Sequence, residues 1–217
     1  GVKLIDLEPG DKLQAIGLGF RDLRPSLPDA SAPLLLRAAA VLNDARSMAD
    51  RLGDRRTASY ALGYLGSLYE ADGRDAEALQ LSGQAIFAAQ QANAPESLYR
   101  WQWQSGRLLK RLGRTDDAIA AYRRAVYTLQ SVRVELSVSY GGPPTSFRDS
   151  VGPVYFELAD LLLQRAASLQ TREARDPYLL EARDAIELFK VAELRDYFAD
   201  DCVDRFLSKI AKLDIVS

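Results

Sequence analysis

From Leu34 onward the apolar positions fall into helical register. Leu35, Ala38, Ala39, Leu42, Ala45, Ala49 and Leu52 follow i, i+3, i+4, i+7 spacing, and Gly53 supplies a left-handed stop. The spacing predicts a helix over 34–52, the second half of a hairpin whose first helix lies upstream in degenerate form. Two cleaner hairpins follow: Arg56 to Ala71 pairs with Asp75 to Ala92 around Gly73, and Pro95 to Arg111 pairs with Thr115 to Leu136 around Gly113. Asn93 followed by Pro95 reads as a stop and a restart, because Asn tolerates the left-handed conformation and Pro suits a first helical turn. Residues 1–33 are the least regular part. Pro9-Gly10, Gly17, Gly19, Pro25, Pro28 and Pro33 punctuate any helix there, leaving one predicted element from about Asp11 to Leu23.

The segment 137–150, containing Tyr140-Gly141-Gly142-Pro143-Pro144, predicts an insertion through which no helix continues. Beyond it a divergent hairpin is expected. Val154, Leu158, Leu161, Leu162 and Ala166 share one face, a charged loop follows around Arg172 to Asp176, and a long helix carries Tyr178, Ala182, Ile186, Phe189 and Leu194. A last helix, about Asp200 to Leu213, would cap the apolar end.

Part of this pattern repeats. Gly66, Leu68, Gly73, Arg74, Ala78 and Ala85 recur 40 residues on as Gly106, Leu108, Gly113, Arg114, Ala118 and Ala125. Within one unit, Leu62-x-x-Leu65-Gly66-x-x-Tyr69, then Gly73, Ala78 and Ala85, resembles the tetratricopeptide helix-turn-helix. Leucine stands where that pattern prefers tryptophan, and the interval is longer than the usual ~34 residues. The expected fold is all-α, a right-handed α-solenoid of tetratricopeptide-like hairpins over residues 34–217, preceded by the irregular segment 1–33. The small residues predict close helix approach, with Gly66 and Gly106 facing Ala78 and Ala118 and a leucine or tyrosine of the facing helix filling the space left.

Composition narrows the chemistry. The 217 residues are 47% apolar and 27% charged, ordinary for a folded domain, and the net charge of -2 gives no global attraction to nucleic acid or an anionic membrane. Histidine is absent and cysteine occurs once, at Cys202. A Ser-His or Cys-His nucleophile pair therefore cannot be assembled, zinc lacks its usual ligands, and no internal disulfide can form. Cys202 reads as a packing cysteine before a reactive thiol. Asp116-Asp117 beside Thr115 and Asp200-Asp201 suit first helical turns better than acid–base or metal chemistry. Gly17-Leu18-Gly19 lacks the remainder of a phosphate-binding loop. No cofactor, metal or catalytic residue is expected, and no run of about 18 apolar residues suggests a membrane span. The start Gly1-Val2-Lys3, with no methionine and no signal-like apolar segment, gives the expectation of a piece of a longer protein.

Four strings go beyond a generic repeat: Ser59-Tyr60-Ala61-Leu62-Gly63-Tyr64-Leu65-Gly66-Ser67-Leu68-Tyr69-Glu70, Tyr99-Arg100-Trp101-Gln102-Trp103-Gln104, Phe147-Arg148-Asp149-Ser150-Val151-Gly152-Pro153-Val154-Tyr155, and Ala192-Glu193-Leu194-Arg195-Asp196-Tyr197-Phe198-Ala199-Asp200-Asp201-Cys202-Val203. Together they resemble the repeat region of bacterial CHAT-domain proteins, in which a tetratricopeptide array precedes a caspase-like peptidase domain. The resemblance covers about Leu34 to Leu213. It implies a regulatory, partner-binding array with the peptidase domain following Ser217. The family's His-Cys pair has no counterpart in a chain without histidine, so the activity does not carry over.

The helix Tyr99 to Arg111 holds the candidate binding residues. Arg100, Trp103, Arg107, Lys110 and Arg111 share one face, while Trp101, Ser105, Leu108 and Leu112 line the other as the core seam. First helices of tetratricopeptide hairpins line the concave groove, so the basic, aromatic face, with Tyr60 of the preceding hairpin, is expected to take a protein or peptide, in particular an acidic peptide or a chain-terminal carboxylate. The same face fits a solvated surface with Trp103 packed on a neighbouring helix. Two further readings stand beside the scaffold. One is a nucleic-acid or anionic-ligand module using Arg100, Trp103, Arg107, Arg123 and Arg124, and the other is a structural spacer.

Overall fold

The structure is a computed structural model that describes residues 28–139 and 151–198, with side chains placed over 34–131 and 151–193. The described residues are all-helical and contain no strand: α1 Pro28–Leu52, α2 Arg55–Ala71, α3 Asp75–Gln91, α4 Pro95–Arg111, α5 Thr115–Ser139, α6 Gly152–Ala167 and α7 Arg172–Phe198. Two compact units divide the chain, one ending at Val132 and the other beginning at Arg133. In the first unit each of α1, α2 and α3 packs on the next helix, and α2 also touches α4. In the second, α6 pairs with α7.

The corners of the first unit are built alike. Gly73 and Gly113 have φ of 79° and 74°, Gly53 has 69°, and Asn93 reaches 48°, the left-handed conformation that these two residue types tolerate. At the first of these corners Arg74 N–H donates to Tyr69 C=O (2.9 Å) and Gly73 N–H to Glu70 C=O (3.3 Å). These paired bonds satisfy carbonyls that the helix end would otherwise strand. The same pair recurs 40 residues on, with Arg114 donating to Leu109 and Gly113 to Lys110, and also at Asn93. Between the corners α2, α3 and α4 are each 17 residues long.

Close helix approach follows from missing side chains. A Cβ added at Gly66 would lie 3.3 Å from the Ala78 carbonyl oxygen, 3.2 Å from Ser82 Oγ and 2.6 Å from Gln104 Nε2. At Gly106 the nearest atoms belong to the Tyr122 ring, at 2.7 Å. Gly66 therefore meets Ala78 as expected, whereas the space at Gly106 is filled by Tyr122; Ala118, fully buried, is not among its nearest neighbours. In the second unit Val154, Leu158, Leu161, Leu162 and Ala166 of α6 are buried as one face, and Phe189 of α7 packs 5.8 Å from Tyr155 and 4.7 Å from Phe156, ring centre to ring centre.

Four expectations need correction. α1 begins at Pro28 and runs through Pro33, because a proline in the second turn deletes only one intrahelical bond, to the carbonyl of residue 29. α5 continues to Ser139, into the predicted insertion, because the breakers begin only at Gly141. The charged stretch Arg172 to Asp176 is the start of α7, with Pro177 inside the helix, and the corner is instead the short segment 168–171. Leu112 leaves the core seam: it caps α4 and is 40% exposed. The predicted helices 11–23 and 200–213, Asp200-Asp201 and Cys202 lie outside the described residues.

Candidate functional site

The seam between α2 and α4 is polar at its centre. Gly63 leaves room for the Trp101 indole, whose ring occupies the place a Cβ would take. Trp101 Nε1 donates to Ser59 Oγ (2.9 Å), and Ser59 Oγ donates to the Ala85 carbonyl of α3 (3.0 Å). Further along, Ser67 Oγ donates to Gln104 Oε1 (3.1 Å) and Gln104 Nε2 to the Gly63 carbonyl (3.4 Å). Buried polar atoms placed this way fix one register of α4 on α2, since sliding would strand each of them. Tyr60 belongs to this seam: its ring stacks on Tyr64 at 6.2 Å and meets Trp101 edge-on at 6.2 Å. Burial pushes its phenol up to about 12, with Arg100 opposing that shift.

The basic face of α4 is largely committed at its C-terminal end. Arg107 pairs bidentately with Glu70 of α2, Nε to Oε1 at 3.0 Å and Nη2 to Oε2 at 2.9 Å. Its guanidinium lies over the Trp103 ring at 4.7 Å. Arg111 Nη2 reaches Asp75 Oδ1 of α3 at 2.6 Å and stands 3.5 Å from Glu70 Oε1. With two arginines and two carboxylates the cluster is neutral, and it straps α4 to the preceding hairpin. The sequence sets Arg107 apart from the packing, yet here it is half-buried and holds α2. Arg100 is half-buried with its guanidinium 5.8 Å from the Tyr99 ring centre, and Lys110 is exposed. Arg123 and Arg124 are exposed on α5, near the exposed Tyr127.

A second site escapes the sequence pattern. An open cavity of about 550 Å³ lies across α1, α2 and α3, floored by Ala58 and Leu62 and walled by Gly83 and Phe87. Phe87 is 61% exposed, and an added Cβ at Gly83 would meet nothing within 4 Å. Gln80, Gln84 and Gln91 offer amide donors and acceptors along one wall, and at the end of the groove Asp50 stands 3.9 Å from Arg46 and 3.5 Å from Arg55. The sequence did carry one signal for it: Gly83 interrupts an otherwise alanine- and glutamine-rich helix, at no corner and at no close contact.

Among the described residues no group of three or more His, Cys, Asp or Glu side chains could hold a metal, and no helix is long and apolar enough to cross a membrane. Asp116 and Asp117 sit in the first turn of α5, where Arg114 Nε donates to Asp117 Oδ2 at 2.8 Å. No protein-family model matches the chain, and no curated protein matches its sequence.

Proposed function

We propose that the chain is a non-catalytic, tetratricopeptide-like array of helical hairpins that binds a protein segment, as the regulatory repeat region of a CHAT-type protein would. Support for the array comes from the alike corners, the equal lengths of α2, α3 and α4, and the recurring packing glycines. Support for binding rests on Gly83. A glycine inside a helix costs about 0.5–1 kcal/mol relative to alanine, and nothing in the packing around Gly83 requires one. It faces the α1–α3 groove, where lack of a side chain keeps the floor of Ala58 and Leu62 accessible beside Phe87. An extended or helical segment with one apolar anchor and hydrogen-bonding groups for the glutamines suits this lining.

The acidic-peptide reading of the α4 face, with Tyr60, Arg100, Trp103, Arg107, Lys110 and Arg111 as its residues, is supported by the Arg107–Trp103 stack. It requires an incoming carboxylate to displace Glu70 or Asp75. Peptides selected by display on the purified chain separate the two. Groove binding predicts that Phe87→Ala weakens the selected peptides at least about tenfold while Arg100→Ala/Lys110→Ala changes little. The reverse outcome, with strong salt dependence, would move the site to α4, and salt-sensitive binding of single-stranded DNA would favour the nucleic-acid module.

A further inference from the structure

Two arginine pairs of the first unit differ in what faces them. Arg107 and Arg111 of α4 meet two carboxylates, Glu70 and Asp75, at 2.6 to 3.0 Å. Arg46 of α1 and Arg55 of α2 share a single one, Asp50, at 3.9 and 3.5 Å. Neither separation reaches the roughly 2.7–2.9 Å of a charge-assisted hydrogen bond, so these guanidinium N–H groups keep most of their donor capacity. Their side chains are 42% and 49% exposed, and Asp50 is the one carboxylate among the residues lining the α1–α3 groove with them. The α4 cluster is therefore neutral, while the charged corner of the groove carries one positive charge in excess.

The surroundings add to that field. Residues 46–56 hold four arginines against two aspartates, in a chain whose net charge is -2. Arg55 and Arg56 open α2, whose first turn has no acidic residue, and a cation there opposes the helix macrodipole. Arg56 has Glu96 at 3.1 Å, whereas Arg55 has its share of Asp50; Asp54 spends its carboxylate on Thr57. The stability of α2 thus gives no reason for Arg55. Ala49, Ala58 and Ala88 cluster together, which brings this corner against the turn of α3 that holds Phe87. We propose that the protein segment taken by the groove carries an internal aspartate or glutamate, its carboxylate between Arg46 and Arg55 and its apolar anchor over Gly83 against Phe87. This rests on the groove being the binding site, and it moves acidic specificity there from α4. Gln84 and Gln91 lie on either side of Phe87 along α3, so a bound backbone can continue past the corner, as a side-chain carboxylate requires and a chain terminus does not.

Selection of peptides from a random library on the full chain, discarding those that also bind Gly83→Trp, isolates groove binders and tests the proposal. The retained peptides should share an Asp or Glu at one fixed offset from an apolar residue. Changing that acid to its amide should weaken binding about fivefold on the unaltered chain and by less than about twofold on Arg46→Gln/Arg55→Gln, a coupling that a merely structural role of the arginines would not produce. Asp50→Asn, which removes the competing carboxylate, should tighten binding about twofold or more. Amidating the peptide's own C-terminus should change nothing. Retained peptides without a shared acid, an equal loss on both chains, weaker binding to Asp50→Asn, or a loss on C-terminal amidation, which would mean a chain terminus in the corner, each refute the inference and leave the groove reading standing. If Gly83→Trp and Phe87→Ala exclude no peptide, the groove reading falls and this inference with it.

Discussion

The hairpins α2–α3 and α4–α5 share a corner and a packing glycine but fill their interiors differently. Gly66 looks onto Ser82 and Gln104, small and polar, whereas Gly106 looks onto the ring of Tyr122, which stands one interval after Ser82. Gly63 has Trp103 as its counterpart, and Trp101 has Ala61. Residues that recur, then, set where the chain turns and where helices touch. Those that do not recur build the joint between hairpins: the Trp101 indole fits only because position 63 is glycine, and its N–H finds Ser59. A repeat can thus conserve its backbone while each joint has its own lock.

The largest break in this comparison should come from Trp101→Ala. It empties the joint between α2 and α4 and leaves Ser59 without its donor, so thermal or urea unfolding should show a loss of about 3–5 kcal/mol. Gly106→Leu attacks a recurring position, and because an added Cβ would lie only 2.7 Å from the Tyr122 ring, overpacking should cost about 1–3 kcal/mol. A neutral result there would mean that the α4–α5 register is wrong. Glu70→Ala, which releases Arg107 and Arg111 at the polar end of the joint, should cost about 1 kcal/mol, and the difference should narrow in high salt.

Smaller still is the cap of α2. Asp54 accepts from Thr57 N–H at 3.0 Å and from the Thr57 hydroxyl at 2.6 Å, and chiefly this side-chain bond holds its carboxyl below the usual carboxylate value. The cap therefore stabilises the fold fully above the unfolded carboxylate pKa of about 3.9 and loses that contribution as pH falls through the lower folded value. Asp54→Ala should cost about 0.5–1 kcal/mol near neutral pH and converge with the unaltered chain in acid. A gap that persists at pH 2 would assign the cost to something other than the carboxylate.

How much of this was legible in the sequence depends on distance along the chain. Helix starts and stops were local: Pro95, Gly73, Asn93 and Gly113 each act within one turn, and the periodicity of small and apolar residues marked the faces. The joint was not local. Glu70–Arg107, Ser67–Gln104 and Ser59–Trp101 lie 37 to 42 residues apart, and an exposed-looking arginine on a helical wheel gives no sign of the carboxylate opposite. On the helical wheel Arg107 and Arg111 therefore look like open surface, whereas the structure pairs them with Glu70 and Asp75. Leu112 followed helical spacing but stood at the cap, where periodicity no longer dictates burial. The groove leaves little trace in the sequence because its marker is a glycine with nothing around it, which in sequence looks the same as a packing glycine.

Gly83 offers the most direct test of the binding reading, since it separates stability from recognition. Gly83→Ala should raise stability by about 0.5–1 kcal/mol, because an added Cβ enters open space on a helix. Gly83→Trp should fold equally well and fill the groove beside Phe87. Titration of display-selected peptides should then show at least about a tenfold loss of affinity for Gly83→Trp, with its unfolding midpoint at or above that of the unaltered chain. Undiminished peptide affinity in a stably folded Gly83→Trp chain would contradict the account.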